Sequence, residues 1–345
     1  MQLIQKSVVV SGRIRLARNY ADLPFSRPGK NPHAELCIER AVSAMQEACG
    51  DHYNLCRLSS LSPTDQLALV EKHLVSKDLL KNGDSGAALI RDDRKISIMI
   101  NEEDHLRIQA MVDNLDLEEA AREAFAAEEA LEQVHGFSFD PQLGYLTSCP
   151  TNTGTGLRAS LMLHLPMLDH FKQMGTVNQS VAKLGLTLRG IYGEGSDALG
   201  SVYQVSNQIT LGRSEKDIVE AVTVVGRQLI SMETKLRQRY LQNSPVELKD
   251  RIMRSYGLLR YAVSMDEKEL MQHWSNLRLG ICMGMLPHSP EQADRLLTTA
   301  QDAHVKQYIT NHSSQATIKE GRCMLIQETL GLEEKNPFTP PTGEA

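Results

Sequence analysis

From Leu157 to Leu165 the chain alternates without a break. Leu157, Ala159, Leu161, Leu163 and Leu165 are interleaved with Arg158, Ser160, Met162 and His164. Side chains two apart on an extended chain point the same way, so this period of two predicts a half-buried strand with Arg158 on the non-core face. LGLTLRG repeats the pattern, with Leu184, Leu186 and Leu188 on one side and Arg189 on the other. SVVVSGRIRLARNY, residues 7–20, starts with a β-branched run and passes into an alternation that puts Arg13 and Arg15 on one side. GAALI and KISIMI, joined by the turn-forming RDDR, read as a hairpin, and SVYQVSNQITLG as a further strand.

Between these strands lie helical stretches. One runs from Pro32 to about Cys49, and one starts at Ser62-Pro63 and continues through LALVEKHLV. DLEEAAREAFAAEEALEQ is built of strong helix formers, and SEKD opens a long helix from Ser214 to about Leu241. Beyond NSPVE the character changes. Ser264 (SMDEKE) and Ser289-Pro290 each open a helix, and TIKEGRCMLIQETL forms a third, interrupted at Gly321. The expectation is an α+β fold: a largely antiparallel sheet flanked by helices over residues 1–245, a small all-helical domain over 246–335, and a disordered tail over 336–345.

Composition narrows the function. With 345 residues, 41% hydrophobic and 23% charged, the chain is an ordinary globular sequence large enough for about two domains. A net charge of −6 argues against a nucleic-acid protein. The six cysteines are scattered without a C-x-x-C pair, and MQLIQKSVVV lacks the features of a secretory signal. No apolar run is long enough to span a bilayer. A reduced, cytoplasmic protein is expected.

The candidate chemistry is arginine on polar strand faces. Arg13, Arg15, Arg158 and Arg189 fall there, with Arg107 just after a strand. A guanidinium is a permanently charged fork suited to phosphate oxygens, although surface strands also carry arginine for solubility. The glycine-rich stretches TSCPTNTGTGLRAS and RGIYGEGSDALG match neither G-x-x-x-x-G-K-[ST] nor G-x-G-x-x-G, so any nucleotide is gripped by side chains. NEEDHLR, residues 101–107, clusters Glu102, Glu103 and Asp104. It reads either as a helix start with a Glu103–Arg107 salt bridge or as a carboxylate site. RGIYGEGSDALG reads either as a loop that closes over a substrate or as a plain hairpin connection. Cys149, between Ser148 and Pro150, is either an inert small hydrophobe or a thiol activated by nearby cations.

SGRIRLARN, VEKHL, NEEDHLRIQ, YLTSCPTNTGTGLRAS, RGIYGEGSDALG and QVSNQITLG resemble, in order, the motifs of the phosphagen (guanidino) kinases, most closely the bacterial protein arginine kinases. The resemblance implies ATP as phosphoryl donor with Mg²⁺ and the guanidinium of protein-borne arginine as acceptor. Arg13, Arg15, Arg107, Arg158 and Arg189 match the arginines that clamp the ATP phosphates, within nucleotide-contact segments comprising Ser11, Gly12, Ile14, Ala159, Ser160, Leu161, Met162, Gly190, Ile191, Tyr192 and Gly193. His73 matches a histidine packed on the adenine. Glu103 and Glu194 match the carboxylates that hold and deprotonate the acceptor, and Cys149 the cysteine beside the reacting nitrogen.

Kinases of free guanidino metabolites carry an N-terminal helical domain ahead of the first clamp motif, which here begins at Ser11; an open site for protein arginine is expected. The resemblance further implies a homodimer through the helical domain, an activator protein, and delivery of modified proteins to a Clp-type protease. The family's usual Ser-Ser-Arg reads Ser11-Gly12-Arg13. A phosphoarginine-sensing Arg-Asp-x-x-Arg-Ala motif aligns with IKEGRC, where only Arg322 is retained. A kinase of a free guanidino metabolite and a non-catalytic phosphoarginine-binding adaptor are the alternatives.

Overall fold

The computed structural model describes residues 8–25, 31–191 and 198–332. The chain divides into two units, residues 1–236 and 237–345.

In the first unit the alternating segments become strands β1 (Val9–Arg18), β2 (Tyr53–Arg57), β3 (Ala87–Arg91), β4 (Ile96–Ile100), β5 (Leu106–Val112), a two-stranded ribbon β6 (Phe139–Asp140) and β7 (Gly144–Tyr145), β8 (Leu157–His164), β9 (Leu186–Gly190) and β10 (Val202–Asn207). Eight of them make one sheet in the order β2-β3-β4-β5-β1-β8-β10-β9, each neighbour antiparallel. Register sorts the side chains by chemistry. On one face Ile96, Ala110, Ile14 and Ala159 line up across four strands, as do Ile98, Ile108, Leu16 and Leu157. All eight are buried and belong to one core with the apolar stripes of α1 (Ala34–Cys49), α3 (Leu117–Val134) and the first part of α5 (Glu215–Asn243). Burial of each such leucine or isoleucine contributes about 1.5–3 kcal/mol, which fixes the register, since a one-residue slip would turn the arginines inward.

The opposite face carries Ser97, Gln109, Arg15 and Arg158 in one row and Met111, Arg13, Ser160, Ser206 and Thr187 in the next. Part of it is covered by α2 (Pro63–Glu71) and the chain after it, where Leu58, Val75, Leu79, Ala88 and Met99 form a second small core. Ser62 caps α2 by accepting the Asp65 N–H. The helix stops at Glu71, short of the expected LALVEKHLV, because His73 adopts a left-handed φ of 57°.

Other expectations are corrected. NEEDHLR starts no helix; Leu106 already belongs to β5, so Arg107 lies within a strand. β8 is not half-buried: Ser160, Met162 and His164 are 3%, 9% and 0% exposed. Leu184 does not share a strand face with Leu186 and Leu188. It ends α4 (Met174–Lys183), is 51% exposed, and precedes a turn at Gly185, φ 72°.

The second unit contains α6 (Pro245–Tyr261), α7 (Glu267–Cys282), α8 (Pro290–Thr299), α9 (Asp302–Asn311) and α10 (Ile318–Thr329). Asp266, rather than Ser264, caps α7, and Ser289 with Gln292 forms a capping box on α8. Gly321 does not interrupt α10. A β-carbon there would lie 2.6 Å from Ile309 of α9, so the glycine lets two helices approach. Buried Trp274 donates its indole N–H to the Ala293 carbonyl at 2.7 Å. Residues 333–345, with the expected tail, lie outside the described residues. No described helix is long and apolar enough to cross a membrane.

Candidate active site

Strand periodicity delivers Arg13 and Arg15 from β1, Arg107 from β5, Arg158 from β8 and Arg189 from β9 to the polar face of the sheet. Arg15 sits directly opposite Arg158. Burial, then the charges of Arg13, Arg107 and Arg158, push the Arg15 guanidinium well below its usual pKa. Arg158 is lowered in the same way, by burial and then by Arg189 and Arg107. The five guanidinia thus form one electrostatic cluster. Its hydrogen bonding is incomplete: the Nε atoms of Arg15 and Arg158 are buried with no partner. Buried donors are rarely left unsatisfied in native proteins, and an acceptor oxygen on the polar face of the sheet would satisfy these two. Arg158 Nη2 reaches Ser206 Oγ at 3.2 Å, and Arg13 is steadied by Gln109 and Gln204 at 3.5 and 3.4 Å.

His73 meets this face through the turn that follows α2. Gln109 Nε2 donates to the His73 carbonyl at 2.6 Å and Ser97 Oγ to the Leu74 carbonyl at 2.5 Å, which ties the turn to the sheet. His73 then lines a small cavity with Ser11, Arg13, Met111, Ser160 and Gln204. Burial first, and Arg13 second, hold its imidazole down at about 4, so it is neutral near pH 7.

The three carboxylates of NEEDH have three different positions. Glu102 is buried and accepts from Arg107 Nη1 through both oxygens, at 2.5 and 2.6 Å, and from Ser76 Oγ. Arg107 therefore pairs with Glu102, not Glu103. Asp104 is buried too, with one oxygen accepting from Asn19 Nδ2 and the Ser148 N–H, each at 2.7 Å. Only Glu103 is exposed. Partial desolvation of its carboxylate, then Asp104 and Glu102, raise its pKa above the ordinary carboxylate value, against Arg107 and a hydrogen bond from Cys149. Since Asp104 also anchors Ser148, the NEEDH loop and the Cys149 loop are one assembly, with Glu103 and Cys149 side by side. The Cys149 sulfur lies 3.0 Å from Thr151 Oγ1.

The glycines after Cys149 cradle no ligand. Gly154 has φ 117°, and a β-carbon there would overlap the Thr210 carbonyl oxygen; Gly156 has φ 59°, and one there would come within 2.7 Å of the Ala17 oxygen. They let the loop close against β1 and the 210 segment. Arg18, at 0% exposure, locks that closure by donating to Glu128 at 2.5 Å and to the Ala17 and Thr155 carbonyls at 2.7 and 3.0 Å.

Several expected contact residues do not reach the site. Ile14, Ala159 and Leu161 are 0% exposed on the helix-covered face, since alternate residues of one strand face opposite ways, and Gly12 packs toward Val112 and Leu117. Ser11, Ser160 and Met162 do face the arginines. Gly190 ends β9 with Ile191 after it, while Tyr192, Gly193 and Glu194 lie outside the described residues.

Residues 36–236 match the family described as ATP:guanido phosphotransferase, C-terminal catalytic domain. The chain belongs to this family. Its first unit is a guanido phosphotransferase catalytic domain, a class that uses ATP, and residues 245–339 match the Protein-arginine kinase McsB C-terminal domain. The chain is 44% identical over 304 residues to a protein-arginine kinase of Caldanaerobacter subterraneus subsp. tengcongensis, covering 87% of this chain and 90% of the relative. It is 40% identical over 331 residues to that of Brevibacillus brevis, covering 95% and 93%. Among solved structures it resembles lombricine kinase, with a TM-score of 0.58 and 26% identity over 68% of each chain. It also resembles a duplicated taurocyamine kinase from Schistosoma mansoni, with a TM-score of 0.59 and 27% identity over 73% of this chain and 38% of that one.

Sequence reasoning missed several residues that shape this guanido phosphotransferase site. Gln109, Gln204 and Ser206 buttress the arginines; parity with Arg107 along β5 would have found Gln109, and the alternation of Gln204 and Ser206 about Val205 would have marked β10. Glu102, which accepts from Ser76, holds Arg107 through contacts that no local pattern announces. Arg322 in the second unit is 2% exposed, with its guanidinium bonded to the Ala300 and Met265 carbonyls at 2.8 and 2.9 Å and to Asp302. It braces helices.

Proposed function

We propose that this chain is a protein arginine kinase, transferring the γ-phosphoryl group of ATP to the guanidinium of arginine side chains in proteins. The observation that carries the choice of acceptor is the match of residues 245–339 to the protein-arginine kinase C-terminal domain, on a chain whose relatives of that name align over nearly their full length.

The chemistry follows from the site. A guanidinium has a pKa above ~12 and no free lone pair, so it attacks phosphorus only after losing a proton. Glu103, exposed and with a raised pKa, is the base. It accepts the proton as the nitrogen forms a bond to the γ-phosphorus and the bond to the β-phosphate oxygen breaks, releasing ADP. Glu194 is the second carboxylate of the pair. Cys149, which donates a hydrogen bond to Glu103, stands beside the nitrogen that reacts. The triphosphate lies on Arg13, Arg15, Arg107, Arg158 and Arg189, where the unsatisfied Nε atoms of Arg15 and Arg158 gain acceptors. Preorganised cations of this kind stabilise the charge of the transferring group without reorganising. Neutral His73 packs against the adenine. Mg²⁺ would enter with the nucleotide and would add to the neutralisation of phosphate charge.

In the cell, a cytoplasmic homodimer with an activator protein would mark damaged proteins for a Clp-type protease. Incubation with ATP and a protein substrate, followed by mass spectrometry that preserves acid-labile phosphoramidates, is expected to find phosphoarginine. Turnover with free arginine but not with protein would transfer the assignment to a guanidino-metabolite kinase.

A further inference from the structure

The turn after α2 addresses two cavities at once. His73 lines the small one beside Arg13, whereas its neighbours Lys72 and Leu74 line a separate cleft of about 330 Å³. The floor of that cleft is apolar, made by Cys56, Leu69, Leu74 and Ile90. Its rim carries Lys72 and Arg94, close enough that Arg94, after burial, lowers the Lys72 pKa. Among the described residues neither side chain makes a hydrogen bond or ion pair; Lys72 has only the weaker influence of the Glu71 charge in its favour.

The remaining charges of the cleft are committed elsewhere. Arg91 is held by Asp93 at 2.8 Å and Glu123 at 2.5 Å. Asp92, the acid on the rim, accepts from Asn54 at 2.7 Å and faces His52 at 3.5 Å. Two uncommitted cations over an apolar floor complement an anionic head on an apolar body, in a space suited to a small molecule. The arginine cluster is different in kind: it lies beyond the turn, and its surroundings are polar.

We propose that this cleft binds a small organic anion, a phosphomonoester or carboxylate with an apolar body, and that its occupancy changes nucleotide affinity through residues 72–75. The turn is suited to transmit the change. His73 is held at φ 57°, a conformation costly for a residue with a side chain. Backbone bonds from the His73 N–H to the Val70 carbonyl and from the Leu74 N–H to the Leu69 carbonyl close the turn, and the two sheet-borne bonds to the His73 and Leu74 carbonyls tie it to the strands. An anion that draws Lys72 toward Arg94 pulls on the residue next to His73. The binding claim is independent of the proposed kinase reaction; the coupling claim rests on the nucleotide lying against His73.

The test uses the full chain and reads binding rather than turnover, so failure of the kinase assignment would not be confused with failure here. With the arginine cluster saturated by a non-hydrolysable ATP analogue, phenyl phosphate, benzoate and inorganic phosphate are titrated by calorimetry. The parent is compared with Lys72→Ala/Arg94→Ala and with Lys77→Ala/Lys81→Ala, which removes two lysines outside the cleft. Phenyl phosphate or benzoate is expected to bind the parent and the control at least tenfold more tightly than the cleft variant, and inorganic phosphate more weakly than either. The dissociation constant of the ATP analogue is expected to shift at least threefold with phenyl phosphate in the parent and not in the cleft variant. Equal affinities in parent and cleft variant, or no saturable binding, would overturn the site. Inorganic phosphate binding as tightly as phenyl phosphate would overturn the assigned ligand class, and binding without a shift in nucleotide affinity would overturn the coupling.

Discussion

Replacing Glu103 with glutamine keeps the shape of the side chain and removes its charge and basicity. Positioned general bases contribute about 10²–10⁴-fold, or roughly 3–5 kcal/mol of barrier at ~1.36 kcal/mol per decade. The structure says where this loss falls. Arg107 is held by Glu102, and the Cys149 loop is anchored through Asp104, so neither depends on Glu103. The fold should therefore lose no more than ~0.5 kcal/mol, and the melting temperature about 2 °C at most. Nucleotide affinity should stay constant or tighten slightly, since an anion near the arginines has gone. Because partial burial and two neighbouring carboxylates raise the Glu103 pKa, its basic form appears at higher pH than that of an ordinary glutamate. Parent kcat/KM is thus expected to rise with pH through an inflection in that raised region, and the glutamine variant to lack it. The measurements are phosphoarginine formation by mass spectrometry across pH, with calorimetric titration of the ATP analogue. A variant that retains more than a tenth of parental kcat, with the acidic limb of its profile intact, would refute Glu103 as the base.

Three other perturbations separate the binding, electrostatic and architectural parts of the site. Arg158→Lys keeps the charge but loses the fork and its unsatisfied Nε; with charge-assisted bonds worth about 1.5–3 kcal/mol, the ATP dissociation constant should rise at least tenfold, and an unchanged titration would count against the clamp. His73 has a folded pKa of about 4 against 6.5 when free, so the unfolded chain takes up the extra proton. The stability this represents is complete above pH 6.5 and is lost as pH falls toward 4, at up to ~1.4 kcal/mol per unit; denaturation of His73→Gln across that window should show a shallower slope, and an identical slope would contradict the burial. Gly154→Ala meets both a φ of 117° and the Thr210 carbonyl, and should cost about 3 kcal/mol or more by chemical denaturation, whereas Gly136→Ala, with open space around it, should be nearly neutral.

The sheet was legible because burial on one face imposes a period of two, and the same period put Arg13, Arg15, Arg158 and Arg189 on polar strand faces; that those faces are one is a fact of strand order and register. The failures have physical causes. Leu184 fits the alternation of β9 in sequence, but Gly185 turns the chain before the strand starts, and periodicity does not register a left-handed turn. Acids ahead of an apolar run look like a helix start, yet Glu102 and Asp104 are spent on Arg107, Ser76, Asn19 and Ser148, partners from 5 to 85 residues away. The division of labour among the three carboxylates is a tertiary fact, invisible to spacing. Gly321 misled for the opposite reason: a helix-weakening residue was retained because a neighbouring helix needs the room.

The same distinction explains a glycine-rich loop without a lysine. A phosphate loop needs glycines so that backbone N–H groups can converge on an anion, whereas here Gly154 and Gly156 are packed against chain and leave no such concavity. In the proposed reading the anion-binding work passes to side chains on the strands of one sheet, where neighbouring strands are only about 5 Å apart. Guanidinia placed at that spacing repel, and the pKa values of Arg15 and Arg158 are lowered first by burial and then by this repulsion. The sheet can carry it because the face behind is a closed apolar core that would have to be broken to relax it. A polyphosphate then relieves repulsion as well as forming new bonds. Nucleotide binding should therefore stabilise this unit against unfolding by more at low salt than at high, in proportion to the screening of those charges.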